Sequence, residues 1–317
     1  DGRNHPKLVA TGPGKRPPKQ SMVFDNLPPE LLDHVLWYLH DVEPSAETCH
    51  LFHEAVREHL SKHAVRVREG DCVQNVVRNV RPGATVYFDA GLHMCPYGLH
   101  IQHHIRLSGP SGPDSEFETR AVLASPGQFL LRSTAKTCRV DKMMLICLGS
   151  GIAGSVVEGV LGRLALFDCT ITTRTDNIVA PRTLCGVWVG PCACVHLEGC
   201  AVIGCSGPAI RVNHGVLFAR ACILGSSQNG SNVVAHGGEL HMSACSIFES
   251  KRDGISLWSN VAATLDSNYI FNNCCFGITC YSRRVRLLNN TVYANAAHHF
   301  PHDAAFFSVM EGNRFLY

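Results

Sequence analysis

The sequence has no apolar run of the ~18 residues that a membrane helix needs, and no basic-then-apolar leader is visible near its first residue. Charge is sparse: 17% of 317 residues, with a net charge of +2 when histidine is neutral. A balance so close to zero gives no global pull toward nucleic acid or an acidic membrane. Cys-x-x-Cys, the spacing of structural zinc sites, does not occur, and its nearest approaches are Cys192-Ala193-Cys194 and Cys274-Cys275. Nor do two carboxylates stand one or two residues apart on any segment that reads as a strand, as paired acid–base chemistry on sugars would need.

What is present is glycine (28), cysteine (16), histidine (18) and 45% hydrophobic residues. That length and apolar content can bury a large core and suggest about two domains. The cysteines lie inside apolar runs, such as Cys147 in MLICLG and Cys169 in LFDCTI. There a thiol acts as a small buried hydrophobe, so the expectation is reduced cysteine in a cytoplasmic or nuclear protein. Two histidine groups are candidate metal sites: His100, His103 and His104, and His298, His299 and His302 with Asp303. The first falls on a segment that reads as a strand, where alternation sends His103 and His104 to opposite faces. Cys194 and His196 share a face, but whether they form a nucleophile pair is not visible in sequence. The reading is therefore no metal, no cofactor and no catalytic residue.

Three segments follow one another. Residues 1–22 carry Arg3, Lys7, Lys15, Arg16 and Lys19 among prolines and glycines. They read as a basic flexible tail, which offers the one route to an anionic partner such as nucleic acid. Residues 23–62 change to helical spacing: LPPELLDHVLWYL opens with prolines at a helix start and continues with Leu31, Leu32, Val35, Leu36 and Leu39 on one face. Residues 63–317 begin with a short strand. An amphipathic helix at 71–80 then supplies Val73, Val76, Val77 and Val80, and strand patterns follow at TVYFDAG and LHIQHHIRLSG.

One phrase recurs through the last segment: LFDCTI, LEGCAV, FARACI, MSACSI, LDSNYI, LLNNTV and MEGNRF. Its fourth positions are Cys169, Cys200, Ala221, Cys245, Asn268, Asn290 and Asn313, at steps of 31, 21, 24, 23, 22 and 23 residues. Periods of this size mean stacked units. Each period holds two or three short strand-like pieces, as in VHLEGCAVIGCSGPAIRV, and no helical return. The expected fold is mostly β, a right-handed parallel β-helix of roughly ten coils preceded by a small helical motif. The fourth positions would stack as a ladder, asparagine bonding and cysteine or alanine filling. The 71–80 helix would cap the open first coil.

Two resemblances add to this reading. LPPELLDHVLWYL followed by CHLFHEAVREHL resembles the F-box motif through Leu27, Pro28, Glu30, Leu31, Leu32, Val35, Leu36, Leu39 and Phe52, and lacks the usual tryptophan of the last helix. DCVQNVVRNVRPGATVYFDAG resembles the opening of pectin-lyase-like β-helix domains. The pairing is similar to eukaryotic F-box/β-helix proteins and to F-box proteins of giant DNA viruses. It implies a non-enzymatic scaffold, in which Leu27–Leu36 and Phe52 bind a Skp-type adaptor of a cullin ubiquitin ligase and the β-helix presents a protein substrate. The first alternative is a structural component of a giant-virus particle, with neighbouring capsid or assembly proteins as partners. The second is a polysaccharide-active β-helix enzyme.

Overall fold

In the computed structural model the residues described are 65–110, 120–149, 153–173, 183–297 and 307–316. The chain divides into residues 1–59 and 60–317. The second unit is a right-handed parallel β-helix of about ten coils. The expected tail and the F-box-like residues lie outside the described residues, as does the 298–303 histidine group.

Each coil contributes three strands. Two belong to a seventeen-stranded sheet, called here the broad sheet, and one to a ten-stranded narrow sheet. The coil that starts at Val216 shows the pattern: Val216–Arg220 in the broad sheet, Ile223–Gly225 in the narrow sheet, Val233–Ala235 back in the broad sheet. Every pairing is parallel and, apart from a shift between Gly159 and Leu161, in register from coil to coil, for example Leu217 with Leu240 and Ile210 with Val233. Alternation then decides what is inside. Leu131, Val157, Val187, Ile210, Val233 and Ile255 make one fully buried interior column. Because each coil buries its apolar residues against its neighbours, stability is close to a nearest-neighbour sum.

The recurring phrase marks the corner between the broad and narrow sheets. One residue of each phrase, the third except in FARACI where it is the fourth, takes a left-handed backbone in coil after coil: Asp168 (φ 52°), Gly199 (61°), Ala221 (51°), Ala244 (52°), Ser267 (55°), Asn289 (54°) and Gly312 (65°). Ala221 is thus the turning residue, and Cys222 occupies the inward ladder position expected of Ala221. With Cys222 in the column the steps from Cys200 onward become 22, 23, 23, 22 and 23 residues. The cysteines do more than fill space. The thiols of Cys200, Cys222 and Cys245 donate to the carbonyls of Leu166, Leu197 and Ala219 one coil back, at 3.3, 3.5 and 3.5 Å. Asn268, Asn290 and Asn313 send Nδ2 to the matching carbonyls of Met242, Leu265 and Leu287 at 3.1, 2.8 and 2.9 Å. Asparagine adds what a thiol does less well: its Oδ1 accepts the backbone N–H of the previous ladder residue, as Asn268 does from Cys245 at 2.9 Å.

A second ladder runs at the next corner. Ser226, Glu249, Asn272 and Ala294 turn left-handed there (φ 57°, 55°, 54° and 51°). The residues that follow them include Ser250, Asn273 and Asn295, with Asn273 Nδ2 donating to Asn295 Oδ1 at 2.9 Å and Ser250 N–H to Asn273 Oδ1 at 3.1 Å.

The third corner relies on glycine. At Gly238 (φ 87°) a Cβ would lie 2.1 Å from the carbonyl oxygen of Gly215. Both the dihedral and the close approach exclude a side chain, and the obstacle is backbone that cannot rotate away. Gly238→Ala should therefore cost at least about 2 kcal/mol in urea or thermal unfolding followed by circular dichroism.

Two expectations change near the N-terminal end. The helix spans Val73–Asn79 and packs Val73 and Val77 into the core, with Gln74 Nε2 on the Gly98 carbonyl at 2.9 Å. LHIQHHIRLSG is two strands, Leu99–Ile101 and Ile105–Ser108. The coil turns at residues 102–104, so His103 and His104 lie in a corner and not on opposite faces of a strand.

Candidate functional site

Outward positions of the broad sheet follow from the register. On the broad-sheet strand that starts each coil the central column reads Arg139, Ala165, His196, Phe218, His241, Thr264, Arg286 and Val309. Rings stack face to face within it: His196 on Phe218 at 4.7 Å (17° between planes) and Phe218 on His241 at 4.8 Å (9°). This spacing is the coil repeat itself, so parallel strands place neighbouring rings at stacking distance at no conformational cost. Phe218 is 38% exposed.

A second track runs along the glycine-rich corner. His236 and Trp258 have ring centroids 5.3 Å apart, and Trp258 and Tyr281 6.0 Å. Trp258 and Tyr281 are nearly half exposed. Beside it, the outward column of the other broad-sheet strand, the one that closes each coil, carries Arg132, Glu158, Trp188 and Arg211 on successive coils. Burial, then the positive charge of Arg211 and then His214, hold His236 below its ordinary value.

Polar groups pair around the rings. Cys194 Sγ lies 3.3 Å from His196 Nε2, and burial raises the Cys194 thiol while the Arg163 guanidinium partly offsets this. Glu239 Oε2 lies 3.7 Å from His241 Nε2. Glu158 is bound to Arg132 at 2.5 Å, and Arg220 lies 4.0 Å from Glu198. Further along, Asp141 joins Arg106 (2.5 Å) and Arg139 (2.7 Å), and Arg139 lies 4.1 Å over the Phe167 ring. Asp266 accepts from Ser267 and Asn289. The titratable groups that stand nearest the exposed Phe218 ring are the imidazoles of His196 and His241, each beside a second titratable group.

The other sequence candidates disperse. Cys169, Cys200, Cys222 and Cys245 form an interior column, with each thiol under 2% exposed. The Cys169 thiol bonded to it, and then burial, push Cys200 far above its ordinary value; the Cys245 thiol and burial do the same to Cys222. Burial pushes Cys138 and Cys185 up to about 12. Such thiols are inert. All fifteen described cysteines are free. His100 stands edge-on to Phe129 at 4.8 Å. Among the described residues no three metal-ligating side chains come close enough to hold an ion, and no helix is long and apolar enough to cross a membrane. Leu27, Pro28, Glu30, Leu31, Leu32, Val35, Leu36 and Phe52 lie outside the described residues. The ring columns were missed in the sequence, where their members stand 22 or 23 residues apart.

Fold and surface together define a pectin-lyase-like parallel β-helix with an aromatic outer face. The family model for the right-handed β-helix region matches residues 162–315, a little under half of the chain. No curated protein sequence matches it. Among solved structures the chain is similar to the A-module of mannuronan C-5 epimerase AlgE4 from Azotobacter vinelandii. There the identity is 14% and the TM-score 0.48, over 72% of this chain and 74% of that one. Pectate lyase Pel9A gives 11% identity and a TM-score of 0.46, over 76% and 80%. ORF18 of Geobacillus virus E2 gives 13% and 0.38, over 86% and 64%. At these identities the likeness is one of fold. It corrects the expectation that the chain is not an enzyme, because β-helices of this kind include an epimerase and a lyase.

Proposed function

We propose that the outer face of the broad sheet holds an extended polysaccharide along the solenoid axis and acts on it by proton transfer. The observation that carries this reading is the pair of exposed ring tracks, Phe218 with its flanking His196 and His241, and Trp258 with His236 and Tyr281. Aromatic faces take the apolar faces of sugar rings, and a platform repeated at every coil suits a polymer better than a single small molecule. Guanidinium groups on the same face, among them Arg211, Arg220 and Arg286, offer bidentate partners for hydroxyl or carboxylate oxygens. His196 and His241 are the groups placed to move a proton.

Trp188 and Trp258 both belong to this face, so binding should quench or shift tryptophan fluorescence. The full chain is titrated with neutral and uronic-acid polysaccharides. A saturable response to at least one polymer, with none to its monosaccharide, is the expected outcome. No response across the panel removes the reading.

A second reading attaches to residues 27–52. The Leu-Pro-Pro-Glu-Leu-Leu run and Phe52 resemble an F-box, and this segment is proposed to recruit a Skp-type adaptor. In a pull-down with the full chain, Leu31→Asp should lower adaptor capture at least tenfold; equal capture by both forms, or by neither, ends that reading.

A further inference from the structure

We infer that the glycine-rich corner between Trp188 and Trp258 is a binding site for a sulfate or phosphate ester, with Arg211, His214 and His236 as its donors. Register places these residues on neighbouring coils. Trp188 and Arg211 follow one another in the outward column of the closing strand. His214 and His236 stand just past the paired strands Ile210–Val212 and Val233–Ala235. Two rings fold onto the corner where glycine leaves room for them. A Cβ at Gly190 would lie 2.7 Å from Cη2 and Cζ3 of Trp188, and one at Gly237 would lie 2.6 Å from Cε1 of His214. At the two ladder corners left-handed residues recur from coil to coil. At this corner His214 (φ 64°) is the only non-glycine residue, among those described, to take that backbone.

The corner gathers positive charge with nothing to balance it. Arg211 and His214 are both near enough to His236 to add to what burial does in disfavouring its protonation. The Arg211 Nε–H is buried and has no acceptor among the described residues. Residues 189–191, 213–215, 236–238 and 258–260 include no carboxylate. The bordering carboxylates are engaged elsewhere. Glu158, two coils before Arg211, is held by Arg132, and Glu239, past Gly238, lies 3.7 Å from His241. Arg283 and Arg284, two coils beyond His236, add further positive charge. A buried donor without a partner and a guanidinium without a counter-charge both disfavour the empty corner, and a bound anion relieves both.

The donor set also selects the anion. One edge of a guanidinium already matches a planar carboxylate, whereas the three terminal oxygens of a sulfate or phosphate ester can engage the guanidinium and both imidazoles. Trp258, 5.3 Å from His236 and nearly half exposed, offers the carrier of that ester a ring to lie on. Only the choice of a polysaccharide as carrier rests on the function proposed for this face; the anion site stands on the charge of the corner itself.

NMR of the imidazole Cε1–H signals, on the full chain titrated with sodium sulfate, sodium phosphate or sodium chloride, tests the site without any polymer. Sulfate or phosphate should shift the His214 and His236 signals, assigned through His214→Asn and His236→Asn, at concentrations where chloride does not. An anion beside His236 offsets the charge of its neighbours, so it should raise the His236 titration midpoint. Binding should therefore be at least about threefold tighter at about pH 5.5 than at about pH 8. Arg211→Gln should weaken it at least about tenfold, and Gly237→Ala, which displaces the His214 ring, should weaken it too. Arg220→Gln, on the other broad-sheet strand, should leave it unchanged. Dextran, carboxymethyl dextran, phosphorylated dextran and dextran sulfate then separate the carriers, and only the last two should reproduce the shifts. Shifts no larger than those from chloride, equal shifts at His196 and His241, or indifference to Arg211→Gln overturn the inference. Equal binding of carboxymethyl dextran, or tighter binding of oligothymidylate, overturns it by giving the corner to a carboxylate or to nucleic acid. A response to the inorganic ions with none to any polymer upholds the anion site and removes the polysaccharide.

Discussion

Asn268→Leu should destabilise the solenoid by about 3 kcal/mol although the two side chains are similar in size. Asn268 is fully buried. Its Oδ1 accepts the Cys245 N–H at 2.9 Å, and its Nδ2 donates to the Met242 carbonyl at 3.1 Å and to Asn290 Oδ1 at 3.0 Å. Leucine strands a buried N–H and a buried C=O, each costing about 1–3 kcal/mol. The added apolar contact offsets part of this. Coils interact only with their neighbours, so hydrogen exchange should speed up most around Cys245 and Asn290, while urea unfolding gives the total. A loss below about 1 kcal/mol would mean that the asparagine column does not hold the corner. The thiol half of the ladder supplies a companion test. Cys245→Asn keeps the donor and adds an acceptor for the Cys222 N–H, whereas Cys245→Val removes the donation to the Ala219 carbonyl. The expected order of stability is asparagine at least equal to cysteine, and cysteine above valine. Valine equal to cysteine would reduce the buried thiols to simple filling.

That ladder also shows what the sequence makes legible and what it does not. The period could be read because ladder residues combine two demands, inward position and a donor for the carbonyl one coil back, and only a few side chains meet both. The frame slipped by one at Ala221 for a physical reason. A left-handed alanine is costly, so a small apolar residue there reads as interior; yet the turn is enforced from both sides, and Ala221 and Ala244 adopt it. The second ladder was legible in principle, since Asn273 and Asn295 each follow a first-ladder asparagine by five residues. The break at residues 102–104 was hidden because a corner of polar residues looks like continued alternation. The outer face is a different case. Nothing local in HLE, LFA or LHM marks a stack of His196, Phe218 and His241; the stack exists only once the register has placed three coils together.

Because those rings owe their positions to the coil repeat and not to one another, removing one should leave the scaffold intact and lower polymer affinity. Phe218→Ala takes away the centre of the first track, the ring between His196 and His241. Trp258→Ala removes the largest ring of the second. An exposed aromatic anchor contributes about 1–2 kcal/mol to a contact, so each change should weaken binding of the responsive polysaccharide roughly tenfold by calorimetry. Both side chains project into solvent, so melting temperatures should stay within a few degrees of wild type. The double variant discriminates geometry. If one chain of sugars spans both tracks, the two losses act on a single binding event and multiply to roughly a hundredfold. If the tracks bind separate molecules, the double variant loses affinity at each but the stoichiometry seen in wild type falls stepwise with the single changes. Tyr97, an exposed ring outside both tracks, is the control, and Tyr97→Ala should leave affinity unchanged. Equal losses from Tyr97→Ala and Phe218→Ala would show that the polymer meets the protein through scattered rings, and the continuous platform on the broad sheet would no longer explain its binding.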